Sequence, residues 1–290
     1  MGVKSLACSL PATTGRPLSR WSCAELAKAA MALGIVAGMI SAGTVWRWLI
    51  RDALRPWRHR MWIFPRDPDF GPKAARALDL YERRFEGREL SPGEHVICAD
   101  EKTSIQARSR IHPPLPPSPG EAMRVEHEYE RMGAWAYLAA YDVHAAQVFG
   151  RVEETTGIEP FGRLVDQVMS TEPYTSAERV FWVVDNGSSH RGQASVDRLE
   201  GQWKNLRLIH LPVHASWLDQ AEIYFSIVQR KALTPSDFAD LDDLEHRLMA
   251  FQRHYNASAT PFDWRFTKDD LADLLERITA HEQMQFRLAA

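Results

Sequence analysis

The stretch 180–190, VFWVVDNGSSH, constrains the fold more than any other, because five apolar residues lead directly into an aspartate. A short apolar run rich in β-branched and aromatic residues predicts a buried strand, and the Asn-Gly after it predicts a turn. Asp185 is therefore expected at the tip of that strand. Its charge costs free energy there unless a structural partner or a metal compensates it.

A second apolar run, HVICAD at 95–100, ends in the same way at Asp100. Further strands are predicted at 135–143, 146–152 and 207–213, and helices at 158–171, 192–204 and 216–233. The first two of these strands are joined by a tight connection that is typical of a hairpin. Antiparallel strands followed by crossover helices predict an α/β domain with a mixed sheet. The proline-rich segment 112–120 is expected to be a loop.

Charge divides the chain unevenly. Residues 1–66 carry a net charge of +8, which leaves −11 on the remainder of a chain whose net charge is −3. A basic segment joined to an acidic body indicates a nucleic-acid-binding module, although a solvated basic face is the plainer reading. We expect a DNA-binding region at 1–66, a connector at 67–94 and a catalytic domain with C-terminal helices at 95–290.

Two short helices are predicted in the basic segment, with Ser22 and Ser41 as their N-caps and Gly34 in the turn between them. The second helix carries apolar residues on one face and arginines on the other, which is the pattern of a helix-turn-helix. A basic, tryptophan-containing arm follows. The residues expected to bind DNA are Arg47, Arg51, Arg55, Arg58 and Arg60. The alternative is an ordinary small helical subdomain.

The cysteines and the uncharged segment 29–46 exclude several classes of protein. Three cysteines without paired spacing predict neither a disulfide framework nor a zinc site, and they suit a reducing cytoplasm. The segment 29–46 is rich in alanine and glycine, so helices are expected there rather than a membrane span. No signal peptide is recognised.

The two aspartates at strand ends are expected to converge, since sites in open α/β sheets form at the carboxyl edge. Two like charges at close range destabilise each other, and a divalent cation removes the repulsion. Glu222 is the candidate third acid, on the helix capped by Ser216 and on its buried face. Asp219, one turn earlier, is a rival for that role. Alternatively, each aspartate is only a turn or cap residue.

Carboxylates without clustered histidine or cysteine suit a hard cation with oxygen ligands, Mg²⁺ or Mn²⁺. Two such ions stabilise the attacking and leaving oxygens of phosphoryl transfer. The attacking group would be water or a 3′-hydroxyl. We therefore expect two bound ions.

Five blocks of the sequence, at 98–110, 127–143, 183–192, 210–238 and 254–275, resemble the DDE transposases of bacterial insertion sequences, on the branch related to the Tc/mariner superfamily. The resemblance implies a ribonuclease-H-like fold, Mg²⁺-dependent cleavage at element ends and strand transfer into a TA target. It makes Asp100, Asp185 and Glu222 the catalytic, metal-binding triad. The 36 residues between Asp185 and Glu222 fit the spacing of this group.

The resemblance also points to accessory residues and to two departures. Residues that could orient DNA or the metal, or could simply be structural, are Lys102, Gln106, Asn186, His190, His214 and Asp219. The family often has asparagine at position 219. It usually has a longer N-terminal region, so residues 1–17 look like the end of a linker, and the helix-turn-helix is expected to be incomplete.

These observations predict a transposase that acts on double-stranded DNA, both terminal inverted repeats and target DNA. It is expected to work as a homodimer on DNA, without membrane association, in the bacterial cytoplasm at the nucleoid. One alternative is a truncated remnant that only binds DNA. Another is a stand-alone nuclease of the same fold that acts on RNA–DNA hybrids or junctions. The basic helix pair favours duplex DNA.

Overall fold

The computed structural model describes residues 2–59, 65 and 67–289, with side chains as far as His281. The chain forms two compact units, Met1–Ile63 and Phe64–Ala290. In the part of the chain that the structure describes, no helix is long and apolar enough to cross a membrane.

The described part of the smaller unit contains the α-helices α1 (Gly2–Ala7), α2 (Cys23–Ala32) and α3 (Ala42–Arg51). Both predicted caps are confirmed, since Ser22 Oγ accepts from Glu25 N at 3.1 Å and Ser41 Oγ accepts from Thr44 N at 3.1 Å. These bonds satisfy backbone donors that the first helical turn leaves free.

The core of the smaller unit forms where the apolar faces of the three helices meet, around Trp21, Leu26 and Leu49. Val3 and Leu6 of α1 are buried in the same cluster. The expectation that residues 1–17 are a linker was therefore wrong for residues 2–7. Their apolar side chains lie three residues apart, which places both on one helical face.

The larger unit begins with a helix and a two-stranded hairpin and continues into a five-stranded sheet with helices. Its elements are α4 (Phe70–Tyr81), β1 (Arg84–Phe85), β2 (Arg88–Glu89), β3 (Glu94–Ser109), β4 (Glu130–Asp142), β5 (Val148–Glu153), α5 (Ile158–Met169), β6 (Arg179–Val184), α6 (Gln193–Gln202), β7 (Leu206–His210), α7 (Gln220–Val228), α8 (Leu241–Asn256) and α9 (Lys268–Ala289).

The sheet has the strand order β5-β4-β3-β6-β7. The first three strands of this order are antiparallel, and β3, β6 and β7 are parallel, so the predicted mixed sheet is confirmed. Alternate residues of each strand enter different cores. Val96 and Cys98 of β3 face the core formed with α4, α7 and α8, whereas Ile97 and Ala99 face the core formed with α5 and α6.

Segment 67–94 was expected to be a connector. In the structure α4 buries Phe70, Ala74, Ala77, Leu78 and Leu80 in the core of the larger unit. The segment therefore supplies part of the layer that covers the sheet. The hairpin of β1 and β2 was not predicted, because strands of two residues are too short to show a periodicity.

Several element boundaries differ from prediction: β4 begins at Glu130 rather than at 135, and β7 ends at His210 rather than at 213. Two further differences concern the site. Strand β3 does not end at Asp100 but continues to Ser109, because it pairs with β4 beyond that point. The predicted helix 216–233 is divided into a 3₁₀ turn at Ser216–Leu218, helix α7, and a π-helical turn at Gln229–Leu233. Ser216 is not the cap of the helix. Asp219 caps it, accepting from Ala221 N at 2.8 Å.

Candidate active site

The site lies where the parallel pairing of β3 and β6 ends. The last pair is Ala99 with Val184, so Asp100 and Asp185 are the next residue on each strand. Alternation along the strands places Asp100 on the face of Cys98, and Asp185 on the face of Val183. Both belong to the face that α7 covers. The two aspartates are thus neighbours although Asp100 lies within its strand rather than at its end.

Asp100 is largely withdrawn from water, and its Oδ1 accepts from Glu101 N at 2.7 Å. Burial raises the pKa of Asp100 to about 7, and the carboxylates of Asp185 and Glu222 contribute to the rise. A carboxyl group with such a pKa is surrounded mainly by apolar groups and other acids. No ion pair of the described residues includes Asp100.

Asp185 has the opposite environment. Its Oδ1 lies 2.6 Å from His190 Nε2 and accepts from Gly187 N at 2.6 Å. The hydrogen bond with His190 lowers the pKa of Asp185 despite its partial burial. Both bonds use Oδ1, which leaves Oδ2 available to a ligand.

His190 is fully buried and bridges two elements of the site. Its Nδ1 lies 2.9 Å from Ser189 Oγ, which donates to Glu101 Oε1 at 2.6 Å. Its ring packs against that of Phe161, with centroids 4.7 Å apart. Of the two readings of this residue, the structure favours the structural one, because a ring without exposed surface cannot reach a DNA phosphate. His190 instead fixes the orientation of Asp185.

Glu222 is exposed, which corrects the prediction that it lies on the buried face of its helix. The buried residues of α7 are Gln220, Ala221, Tyr224, Phe225 and Val228. The predicted face was counted from Leu218, which belongs to the preceding 3₁₀ turn and is out of phase with the helix. Glu222 borders a depression of about 240 Å³ together with Lys102 and Arg230, and its charge raises the pKa of Asp100.

Asp219 is only 1 % exposed. Its Oδ1 makes the capping bond, whereas its Oδ2 has no hydrogen-bond partner. Burial raises the pKa of Asp219 well above its usual range, and the charge of Asp100 is the next largest cause. The negative charges of Asp100, Asp185 and Glu222 thus all act on Asp219.

The other predicted accessory residues lie in different settings. Asn186 Nδ2 donates to Leu211 O at 2.7 Å and joins the loop after β6 to the end of β7. Lys102 and Gln106 line a cavity of about 120 Å³, in which the buried Oε1 of Gln106 has no partner. His214 is exposed, with a left-handed φ of 62° that is uncommon outside glycine.

Sequence reasoning missed Ser189 and His210. Ser189 links Glu101 to His190, and His210 Nε2 lies 2.6 Å from the carbonyl oxygen of His190. The run Ser-Ser-His after Asp185 is the signal that could have indicated Ser189, because hydroxyl groups next to a turn commonly make local hydrogen bonds. His210 needs the neighbouring position of β7, which the sequence alone does not provide.

The carboxylates of the site could supply oxygen ligands to a divalent cation. Among the residues that the structure describes, no three His, Cys, Asp or Glu side chains stand close enough to hold one ion as they are oriented. The available donors are nevertheless oxygens, and Asp219 Oδ2 is bare and buried. This set fits a hard cation such as Mg²⁺ or Mn²⁺ once the exposed side chain of Glu222 turns toward the aspartates.

The predicted DNA-binding arginines lie in the smaller unit. Arg47, Arg51, Arg55 and Arg58 are exposed, and no ion pair of the described residues uses any of them. Arg55 and Arg58 line a depression of about 530 Å³ with Trp57 and His59. Arg60 lies outside the described residues.

The chain resembles known proteins in sequence and in fold. A family model described as "DDE superfamily endonuclease" matches residues 95–245. The crystal structure of the Mos1 mariner paired end complex with Mn is similar to the chain, with a TM-score of 0.54 at 17 % identity over 89 % of this chain and 72 % of that one. A pre-cleavage Mos1 transpososome gives a TM-score of 0.52 at 16 % identity over 96 % and 76 %. No curated protein sequence gives a match.

The structural similarity establishes the ribonuclease-H-like fold, a mixed five-stranded sheet with helices on both faces. The family match extends over more than half of the chain and includes Asp100, Asp185 and Glu222. The chain therefore belongs to the DDE superfamily of endonucleases.

Proposed function

We propose that the protein is a transposase, which cuts DNA at the ends of a mobile element and joins those ends to target DNA. The observation that carries the proposal is the position of Asp100 and Asp185, each directly after the last parallel pair of β3 and β6. The two carboxylates influence each other electrostatically and are joined in this by Glu222. The family of endonucleases to which the chain belongs supports DNA as the substrate.

Asp100, Asp185 and Glu222 are the residues that would hold Mg²⁺ or Mn²⁺. Two such cations, when bound, supply Lewis-acid stabilisation of the attacking and leaving oxygens of phosphoryl transfer. Mos1 has been crystallised as paired end complexes with Mn and with Mg, which supports a divalent cation here. The Mg complex of Mos1 is similar to this chain with a TM-score of 0.52 at 15 % identity, over 96 % of this chain and 75 % of that one.

The side chains around the triad divide the remaining work. His190 holds Oδ1 of Asp185, so that Oδ2 is the oxygen presented to a ligand. Lys102 and Arg230 border the same depression as Glu222, where their positive charges suit a DNA phosphate. Water or a 3′-hydroxyl is the attacking group, for cleavage and for strand transfer respectively.

In this proposal the smaller unit recognises the DNA ends. Its helix α3 presents Arg47 and Arg51 to solvent on the face opposite the buried Val45 and Leu49, as a recognition helix of a helix-turn-helix would. The proposal also includes four finer assignments. The mobile element is a bacterial insertion sequence, its ends are inverted repeats, its target is a TA site, and a homodimer pairs the two ends at the nucleoid.

The test is a cleavage assay on duplex DNA that carries the inverted repeat flanking the gene. Wild type should cut it with Mg²⁺ or Mn²⁺ and should not cut it in EDTA. Asp263→Asn serves as a control and should cut normally, because Asp263 is exposed and, among the described residues, forms an ion pair with Arg265 alone. Binding without cutting would favour the alternative, a transposase remnant that acts only as a DNA-binding protein. Cutting that is independent of divalent cations would refute the metal-dependent mechanism.

A further inference from the structure

Asp219 is an acidic residue at a position whose structural role does not require an acid. It caps α7, and asparagine or serine caps a helix about as well as aspartate does. A buried carboxylate with one unsatisfied oxygen costs free energy that an amide or a hydroxyl would largely avoid. The carboxylate at this position therefore needs another explanation than the cap.

The surroundings of Asp219 offer no positive charge. Of the groups whose charges act on it, Asp100, Asp185 and Glu222 are all acids. On the side of α4, the Tyr81 hydroxyl donates to Leu218 O at 2.6 Å and is not a partner of Asp219. No ion pair within the described residues includes Asp219. A cation bound among these acids would compensate the negative charge of Asp219.

Asp219 is held in place within the site. Its capping bond to Ala221 N fixes the side chain, and its Oδ2 is buried and bare. Glu222, by contrast, is exposed and can turn. A fixed oxygen in a buried site loses little conformational entropy when it binds a ligand.

We propose that Asp219 is a fourth carboxylate ligand of the divalent cations, which binds through Oδ2 beside Asp100, Asp185 and Glu222. The inference rests on the proposed function, because it concerns the same metal site. Four carboxylates carry four negative charges, which two divalent cations neutralise completely. An asparagine at this position would leave one positive charge in excess.

The test is a titration of the metal-free, full-length protein with MnCl₂, in which electron paramagnetic resonance measures the free ion. Asp219→Asn should weaken Mn²⁺ binding about tenfold or more. The matched control is Asp240→Asn, because Asp240 also caps a helix, by accepting from Asp243 N at 2.8 Å, but is exposed. It should bind Mn²⁺ as wild type does.

A second readout is thermal stability. Without metal, Asp219→Asn should raise the melting temperature, because an amide avoids the cost of burying a carboxyl group with an unsatisfied oxygen. The stabilisation produced by Mn²⁺ should be smaller in this variant than in wild type, since it depends on the affinity. Asp219→Ser, which keeps a capping oxygen but no carboxylate, should reproduce both effects, and it replaces the asparagine variant if that one loses its helical circular dichroism.

The outcomes separate the inference from the function on which it rests. If wild type and the Asp219→Asn variant bind Mn²⁺ equally well, Asp219 is only a helix cap. The proposed function would then stand. Wild type that binds no Mn²⁺ would overturn both the inference and the metal-dependent mechanism.

Discussion

The stability of the metal-free protein should depend on pH in part through Asp100, and Asp100→Asn should remove that part of the dependence. Burial and neighbouring acids raise the pKa of Asp100 from 3.8 to about 7. In the unfolded chain the group ionises near its ordinary value. Between these two values the folded protein holds a proton that the unfolded chain has lost, so the free energy of unfolding falls as the pH rises.

The magnitude follows from the size of the shift. Each pKa unit corresponds to 1.36 kcal/mol, so a rise from 3.8 to about 7 penalises the folded state by about 4 kcal/mol once the pH exceeds 7. Asparagine has nearly the same shape and does not ionise. The variant should therefore be no more stable than wild type near pH 4 and more stable by about 4 kcal/mol at pH 7 and above.

The assay is urea-induced unfolding followed by circular dichroism, in EDTA, at half-unit steps from pH 4 to pH 8. The free energy of unfolding is extrapolated to water for each pH, and the difference between variant and wild type is plotted. The exposed Asp263→Asn variant should give a flat difference. A difference for Asp100→Asn that is also flat, or that shrinks as the pH rises, would refute the assignment of Asp100 to a buried acidic cluster.

Three further predictions concern the neighbouring residues. His190→Gln should slow cleavage about 10–100-fold while DNA binding is retained, because Asp185 loses the bond that orients it; unchanged cleavage rates would contradict this role. Arg47→Ala and Arg51→Ala should each weaken DNA binding. Each should also make the negative slope of log affinity against log salt less steep by about 0.9, as gel-shift titrations at several salt concentrations would measure. Asn186→Ala should lower the free energy of unfolding by about 1 kcal/mol through loss of the bond to the Leu211 carbonyl, and an unaltered melting temperature would exclude that contribution.

The strand pattern alone located the pair of aspartates. Apolar runs that end at Asp100 and Asp185 predicted two buried strands, and their parallel pairing brings the two acids together. The mixed sheet followed from the order of strands and helices. These features depend on local periodicity, which a sequence shows directly.

The predictions that failed have two causes: a competing cap nearby in the sequence, and a strand pairing distant in sequence. Ser216 precedes an apolar run and resembles an N-cap, but the chain forms a 3₁₀ turn first and the helix begins after Asp219. That displacement moves Glu222 to the exposed face of α7. Strand β3 continues past Asp100 because β4 pairs with it, and this pairing is not visible in either segment alone.

The bridge from Glu101 through Ser189 to His190 was not predictable for the same reason. It joins β3 to the loop after β6, across 88 positions of the chain. The exposure of Arg47, Arg51, Arg55 and Arg58, by contrast, follows from a helical face and a basic arm. Their role in binding DNA stays a prediction.

The central claim is that Asp185 takes part in metal-dependent cleavage of DNA. The most direct measurement compares wild type and Asp185→Asn on the same inverted-repeat duplex, with cleavage and binding measured in parallel in Mg²⁺ and in Mn²⁺. The account predicts that the variant binds the duplex nearly as well as wild type and does not cut it. A variant that cuts at the wild-type rate would contradict the assignment of Asp185 and of the triad to which it belongs.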